Sequence, residues 1–316
     1  MTIYQTIGLL IFCFAVSCVA ASDPPSERPV LMWRDTLPLV AQQYDFPYDL
    51  AHPDKTFELP SILTEISGLD IAANGKRLLA VQDEQGIVFQ ISTRSGRLKQ
   101  QFKFHKNGDY EGIERVGADL FVVKNTGTIY EIKNYSSVED KVAKINKFNT
   151  YLDSSHNVEG LAYDPQQHRL LLACKGSDKK NYKMKKQIYS FDLATHTLDT
   201  TPVYEIDQQH IMNYLGMGKV TQQLERVAHQ IDPTRSYFAF SPSAIAVHPR
   251  TGNLYVTSSV GKLLVVLNPE GELLHIERLD KKIHRQPEGL AFAKNGTLYI
   301  SNEGKKGTGK IQVFKP

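Results

Sequence analysis

The chain has 316 residues, with 37 Lys and Arg against 34 Asp and Glu, which leaves a net charge of +3. So small a charge argues against nucleic acid or an anionic membrane surface as a partner. The composition is that of an ordinary globular protein, and the length suffices for one large domain or two small ones.

Residues 1–21 predict an export signal. The run IGLLIFCFAVSCVAA (7–21) is apolar, too short to span a bilayer comfortably, and followed by the polar segment SDPPSERP. Two processing routes stay open. Ala15–Cys18 resembles a bacterial lipobox that would place a lipid anchor on Cys18, whereas Val19–Ala21 fits a cleavage site that would release a soluble protein. Either route leads to the periplasm or outer envelope.

Residues 22–47 are predicted to form a linker or a strap, because the segment starts with several prolines that keep it extended. Two of the three cysteines lie in the export signal, and only Cys174 remains in the folded part. No intramolecular disulfide is therefore expected there. Cys174 itself lies in an apolar strand and is expected to be buried rather than reactive.

Residues 48–316 are predicted to form one repeating, all-β domain. Each unit contains three or four short strands rich in β-branched and aromatic residues, with Gly, Asn or Asp between them. The units begin with related phrases: EISGLDIA (65–72), DYEGIERV (109–116), HNVEGLAYDP (156–165), SPSAIAVH (241–248) and QPEGLAFA (286–293). Equivalent positions 67, 111, 159, 243 and 288 are 44, 48, 84 and 45 residues apart. Periods of about 40–50 residues are typical of propeller blades.

We therefore predict a five-bladed β-propeller. The spacing of 84 leaves a six-bladed alternative open, but residues 207–231 lack strand alternation and contain good helix formers, which favours a partly helical insertion. The last unit has only three strands before the chain ends. The segment YDLAHPDKTFELP (48–60) is expected to supply its fourth strand and close the ring without an exposed edge.

One column of the aligned repeats contains only small polar or acidic residues: Ser67, Glu111, Glu159, Ser243 and Glu288. The first strand of each blade lines the central channel, so these side chains are expected to converge on the axis. Three carboxylates in a narrow channel raise one another's pKa values unless their charge is neutralised. Oxygen ligands of high negative charge suit Ca²⁺ rather than Zn²⁺ or copper. We predict one axial Ca²⁺; in the alternative interpretation each carboxylate is solvated at the blade's rim.

A second set of polar residues is expected at the channel mouth, where the second strands end and the entry loops begin. The candidate ligand-binding residues there are Lys124, Lys175, Asn157, Gln286 and Glu303, which suit an anionic small molecule above the metal. The same residues also suit solvated loop ends that pair with one another. If the protein is an enzyme, Glu84, Asp109 and His156 are the candidate catalytic residues for activating water.

The motifs LPSILTEISGLD, AVQDEQGIVFQI, GDYEGIE, NVEGLAYDP, FSPSAIAVHP and QPEGLAF resemble the SdiA-regulated domain family of bacterial envelope β-propellers over about residues 56–316. That resemblance implies a fold and a location more than an activity. The column is also similar to the Ser, Glu, Glu, Ser, Glu series that holds an axial Ca²⁺ in calcium-activated nucleotidases of the apyrase type. That similarity implies a metal-binding role for the column. The long nucleotide-binding insertions of those enzymes do not occur in this sequence.

Two functions follow as hypotheses. The first is an exported, calcium-binding propeller that acts as a monomeric module for an anionic small molecule or an envelope protein. The alternative is a Ca²⁺-dependent phosphohydrolase, nucleotidase-like or phytase-like, with its site at the channel mouth. Lactone or ester hydrolysis rests on fold analogy alone.

Overall fold

The computed structural model describes residues 44–135, 144–176, 184–215, 239–305 and 307–316. These residues form five antiparallel sheets that follow one another along the chain. The first two sheets contain β2 (Ile66–Ile71), β3 (Arg77–Gln82), β4 (Ile87–Ser92) and β5 (Leu98–Lys103), then β6 (Tyr110–Val116), β7 (Asp119–Lys124), β8 (Ile129–Ile132) and β9 (Ile145–Phe148). In each sheet, consecutive strands are neighbours, as in a β-meander.

The third and fourth sheets have the same order with one irregularity. They contain β10 (Val158–Asp164), β11 (Arg169–Cys174), β12 (Lys185–Asp192), β13 (Thr197–Leu198) and β14 (Tyr204–Asp207), then β15 (Ala244–Val247), β16 (Leu254–Ser258), β17 (Leu263–Leu267) and β18 (Leu273–Arg278). In the third sheet β13 and β14 both pair with β12, so the fourth strand is divided into two pieces.

The fifth sheet joins the two ends of the described chain. Its strands are β19 (Pro287–Phe292), β20 (Leu298–Asn302), β21 (Lys310–Phe314) and, on the outside, β1 (Lys55–Glu58). Strand β1 pairs antiparallel with β21, from Lys55 opposite Val313 to Glu58 opposite Lys310. The predicted closure of the ring is therefore present, and it covers the edge that β21 would otherwise expose.

The five inner strands form a closed ring around one axis. Strand β2 contacts β6, β6 contacts β10, and the series continues through β15 and β19 back to β2. Five separate hydrophobic cores fill the spaces between neighbouring blades. The five-bladed β-propeller is thus confirmed, and the residues between the third and fourth blades form no sixth sheet within the described part of the chain.

The residues between the third and fourth blades include one helix, α1 (Gln208–Tyr214), at the start of the predicted insertion. Asp207 caps it by accepting the Gln209 N–H at 2.8 Å. Residues 216–238, which include the predicted helix formers near 220–231, lie outside the described residues. A short 3₁₀ helix (Ser61–Leu63) also connects β1 to β2.

The Glu-Gly phrase of the sequence corresponds to a β-bulge. The pairing of the first and second strands shifts register at Glu111, Glu159 and Glu288, and at Ser67 together with Gly68. A bulge leaves a residue out of the strand ladder and turns its side chain to a new direction. The bulge therefore coincides with the column residue in four of the five blades.

The glycine that follows the bulge allows neighbouring inner strands to approach closely. A Cβ atom on Gly112 would lie 2.6 Å from Leu161 Cβ, and one on Gly160 would lie 2.5 Å from Ile245 Cγ2. Such contacts are shorter than van der Waals distance, so only glycine fits. The repeated phrase thus combines a bulge that re-aims one side chain with a glycine that narrows the ring.

Candidate functional site

Three column carboxylates meet in a cavity on the propeller axis. Glu111, Glu159 and Glu288 line this space together with glycines and aliphatic residues of the inner strands. The two serines lie beside them. Ser67 Oγ donates to Glu111 Oε2 at 2.9 Å, and Ser243 Oγ donates to the Pro287 carbonyl at 2.6 Å. Four of the five column residues are therefore on the inner strands, Ser243 directly precedes β15, and the carboxylates of three blades share one cavity.

The cavity has an apolar floor that the sequence argument did not identify. It is formed by the residue two positions after each column residue: Leu69, Ile113, Leu161, Ile245 and Leu290. Each of these side chains is at most 4% exposed, and each belongs to a different inter-blade core. An apolar floor removes water from one side of the carboxylates, which strengthens every electrostatic interaction in the cavity.

Burial raises the pKa values of all three carboxyl groups. The pKa of Glu111 rises to about 9 through burial and the nearby charge of Glu159, although the hydrogen bond from Ser67 works against the rise. The pKa of Glu288 rises to about 8 through burial and through the charges of Glu159 and Glu303. Burial also raises the pKa of Glu159. The cavity therefore disfavours the ionised forms of all three carboxyl groups.

One ammonium group reaches into this arrangement. Lys175 Nζ, at the start of the loop after β11, lies 3.2 Å from Glu159 Oε1, and Asn157 Nδ2 donates to the same oxygen at 2.5 Å. Burial opposes the charged form of Lys175, but Glu159, Glu288 and Glu111 raise its pKa overall. Lys175 is therefore the counter-ion of the cavity in this structure.

The other predicted ligand-binding residues lie around the mouth with partners of their own. Lys124 Nζ lies 5.6 Å from the centre of the Tyr110 ring. The Gln286 side-chain amide donates to the Glu303 carboxylate. Burial and the charges of Asp83 and Glu65 raise the pKa of Glu303 to about 7. Lys124 is thus placed against an aromatic ring rather than on the axial carboxylates.

The three candidate catalytic residues are not equivalent. Glu84 is exposed. Asp109 accepts a hydrogen bond from the Asn125 side chain and is hydrogen-bonded to Glu111. The ring of His156 is buried, and its Nδ1 lies 3.0 Å from Asp153 Oδ1 in the loop that enters the third blade. The structure brings Asp109 to the axial carboxylates, whereas His156 supports its own loop.

No group of three or more His, Cys, Asp or Glu side chains within the described residues is arranged to hold a metal ion. The contacts explain this. Glu159 is turned to Lys175 and Asn157, and Glu111 is turned to Ser67. Side-chain rotation at these positions would have to precede metal binding, so the axial Ca²⁺ stays a prediction.

Two further acids, Asp70 and Glu114, lie on the first two inner strands, three residues after the column residues Ser67 and Glu111. Asp70 Oδ2 accepts the Arg115 N–H at 2.7 Å. Burial raises the pKa of Asp70 to about 6, and burial together with the charge of Asp70 raises the pKa of Glu114 well above its usual range. The equivalent residues of the other blades are alanines (Ala162, Ala246 and Ala291). The period of the repeat was the signal that could have found this pair.

A family model described as SdiA-regulated matches residues 48–305, which include every inner strand and the whole column. The chain belongs to the SdiA-regulated family. No curated protein matches this SdiA-regulated chain in sequence. Within the described residues, no helix is long and apolar enough to cross a membrane.

Solved structures similar to this SdiA-regulated propeller are distant in sequence. The glutaminyl cyclase of Myxococcus xanthus is 10% identical, with a TM-score of 0.54, and the match covers 84% of this chain and 95% of that one. The virginiamycin B lyase of Staphylococcus aureus is 15% identical with a TM-score of 0.42, and the match covers 83% and 70% of the two chains. The first of these likenesses supports the fold, and neither transfers a function.

Proposed function

We propose that this SdiA-regulated propeller is an exported calcium-binding module of the cell envelope, which binds its ligand at the channel mouth above one axial Ca²⁺. The observation that carries the proposal is the convergence of three carboxyl groups in the axial cavity. Glu111, Glu159 and Glu288 line this cavity, and Lys175 forms an ion pair with Glu159. Burial raises the pKa values of all three groups, and a bound cation would favour their ionised forms.

The residues present fit a calcium ion in chemistry. The column provides one carboxylate or hydroxyl side chain from each of the five blades, and none of these side chains offers nitrogen or sulfur. Such hard oxygen ligands suit Ca²⁺. Glu111, Glu159 and Glu288 would hold the ion, and Ser67 and Ser243 would exchange their present hydrogen bonds for it. The ion would supply charge compensation and link five blades at the axis.

Binding is favoured over phosphohydrolysis by the state of the candidate bases. Asp109 is hydrogen-bonded to Asn125 and Glu111, and His156 is buried against Asp153. A general base must reach the water that it activates, within about 2.6–3.2 Å. With Asp109 or His156 as the base, the hydrolase hypothesis therefore requires rearrangement of the loop that carries it, in addition to metal binding.

The test is calorimetric titration of chelator-treated protein with CaCl₂ and, in parallel, MgCl₂. We expect one calcium site with a dissociation constant between about 10⁻⁷ and 10⁻³ M and a clear preference over Mg²⁺. In Glu111→Gln and Glu288→Gln the calcium affinity should fall at least about tenfold. Each substitution replaces a charged carboxylate by a neutral amide of the same size.

Glu131→Gln is the matched control. Glu131 is also a buried carboxylate, 3% exposed, but it lies on β8 and pairs with Lys133 away from the axis. The calcium affinity of the Glu131→Gln protein should equal that of the wild type. Absence of calcium binding in the wild type at millimolar concentrations, or equal affinity in all four proteins, would contradict the proposal.

A further inference from the structure

Lys175 stands where a bound cation would stand. Its Nζ is 3.2 Å from Glu159 Oε1, and the charges of Glu288 and Glu111 also act on it. The side chain is 34% exposed, so the ammonium group is at the boundary between the cavity and the open mouth. An ammonium group at this boundary can leave toward solvent without unfolding the blade.

A metal ion and this ammonium group compete for the same oxygen. Glu159 Oε1 already accepts hydrogen bonds from Lys175 and Asn157, so a metal ligated by that oxygen has to displace Lys175. The electrostatic reason favours the metal, because a divalent ion interacts about twice as strongly with each carboxylate as a single ammonium group at equal distance. Displacement leaves Lys175 with an uncompensated charge at the mouth.

Two other lysines lie on the third and fourth blades: the charge of Lys175 acts on Lys186, and the charge of Glu288 acts on Lys262. Lys186 Nζ donates to the Lys175 carbonyl at 2.6 Å, and Lys262 Nζ donates to the Ser259 carbonyl. Both of these ammonium groups are bonded to neutral backbone oxygens rather than to carboxylates. The opposite side of the mouth contains Asp83 and Glu303, and burial together with the charge of Asp83 raises the pKa of Glu303. The mouth is thus positive on one side once Lys175 is released.

We propose that Lys175 is a tethered counter-cation, which occupies the axial carboxylates in the metal-free protein and, when displaced by the metal, binds a small carboxylate or phosphate anion at the mouth. This inference rests on the proposed calcium site and adds the class of ligand and its dependence on the metal. Metal and anion affinities are then coupled, and each raises the other by the same factor.

The first test measures calcium affinity by calorimetry in the wild type, Lys175→Met and Lys175→Arg. Removal of the competing charge should raise calcium affinity about tenfold in Lys175→Met, whereas Lys175→Arg should stay close to the wild type. Lys185→Met is the matched control, because Lys185 also pairs with a glutamate, Glu205, but on the outer part of the third blade. Unchanged calcium affinity in Lys175→Met overturns the inference and leaves the calcium site standing. Failure of all these proteins to bind calcium overturns the proposed function itself.

The second test adds an anion at constant ionic strength. Sodium sulfate and sodium acetate replace part of the sodium chloride while calcium affinity is measured again. Sulfate, acetate or both should raise calcium affinity at least about threefold in the wild type and in Lys185→Met, and neither should change it in Lys175→Met. An anion effect that persists in Lys175→Met, or no effect of either anion in the wild type, overturns the anion site. Thermal unfolding of each variant with and without calcium shows that the compared proteins are folded.

Discussion

The inner strands carry two groups of buried acids, an upper layer of axial carboxylates and a lower layer of Asp70 and Glu114. These acids differ in which neighbouring group compensates their charge. Glu159 has the ammonium group of Lys175, whereas Glu111 has the hydroxyl of Ser67. In the lower layer Asp70 accepts a backbone N–H from Arg115. A hydrogen bond from a neutral donor compensates a buried carboxylate only in part, because the charge stays out of water. Burial therefore makes the ionisation of Glu111 and Asp70 oppose folding, and it acts in the same direction on Glu159 despite the ion pair with Lys175.

Asp70 gives a prediction on pH that does not involve the axial ring. Its pKa of about 6 in the folded protein exceeds the ordinary value of 3.8. The folded state therefore binds this proton more tightly than the unfolded state. The resulting stability is complete below about pH 4 and is lost as the pH rises through 6.

Asp70→Asn should remove this dependence and raise the free energy of unfolding at pH 8, by at most about 3 kcal/mol. The amide oxygen can still accept the Arg115 N–H. Chemical denaturation at pH 4, 6 and 8 measures the effect, which should be largest at pH 8. Asp164→Asn is the contrasting variant. It breaks the 2.9 Å ion pair with Arg169 and should destabilise the protein at pH 8. Equal destabilisation by both variants would refute the assignment.

At the scale of the strand, the bulge and its glycine decide where the column points. The inner strands are close enough that the space beside Gly112 is filled by Leu161 of the next blade. A side chain at this position would push two inner strands apart and widen the ring. The glycine thus acts on packing between blades, while the bulge acts on the direction of one side chain.

Gly112→Ala should destabilise the protein by about 1–3 kcal/mol, because the new Cβ would overlap Leu161. It should also weaken calcium binding, since the column residue Glu111 is adjacent. Gly307→Ala is the control, because the nearest atom to its new Cβ is 3.5 Å away. That change should alter stability by less than about 0.5 kcal/mol. Thermal and chemical unfolding of the two variants measure the difference, and similar losses would argue against close packing of the inner strands.

The repeat made the blades and the column predictable, because equivalent strands recur with one spacing and one direction. Partner choice at the mouth was not predictable. Lys124 ends β7 opposite Tyr110, whereas Lys175 follows Cys174, the residue that ends β11 opposite Val158. The two lysines are therefore one position out of register, and a shift of one residue along a strand turns a side chain to the other face, so Lys124 lies over Tyr110 and Lys175 reaches Glu159. The division of the third blade's outer strand into β13 and β14 was not predictable either, since outer strands are little constrained by the axis.

At the scale of the whole molecule, the segment before the first blade performs two separable tasks. Tyr48 and Leu50, 5% and 3% exposed, pack into the core between the fourth and fifth blades. Strand β1 follows and closes the ring by pairing with β21. Tyr48 and Leu50 add buried apolar area, so their removal should lower stability. Strand β1 covers a strand edge, so its removal should also promote association between molecules.

Three truncated proteins separate these tasks. A chain that begins at Tyr44 retains both elements and is the reference for the other two. A chain that begins at Lys55 loses Tyr48 and Leu50 and should be less stable by about 2–5 kcal/mol, yet remain monomeric. A chain that begins at Pro60 also loses β1, which leaves the N–H and C=O groups of β21 unpaired at an open edge. It should associate in a concentration-dependent manner, because exposed edges pair with one another.

Thermal unfolding measures the loss of stability in the chain that begins at Lys55, and light scattering over a concentration series measures the association of the chain that begins at Pro60. A monomeric, stable chain beginning at Pro60 would show that the ring holds without its closing strand and that the inter-blade cores alone keep the axial carboxylates together.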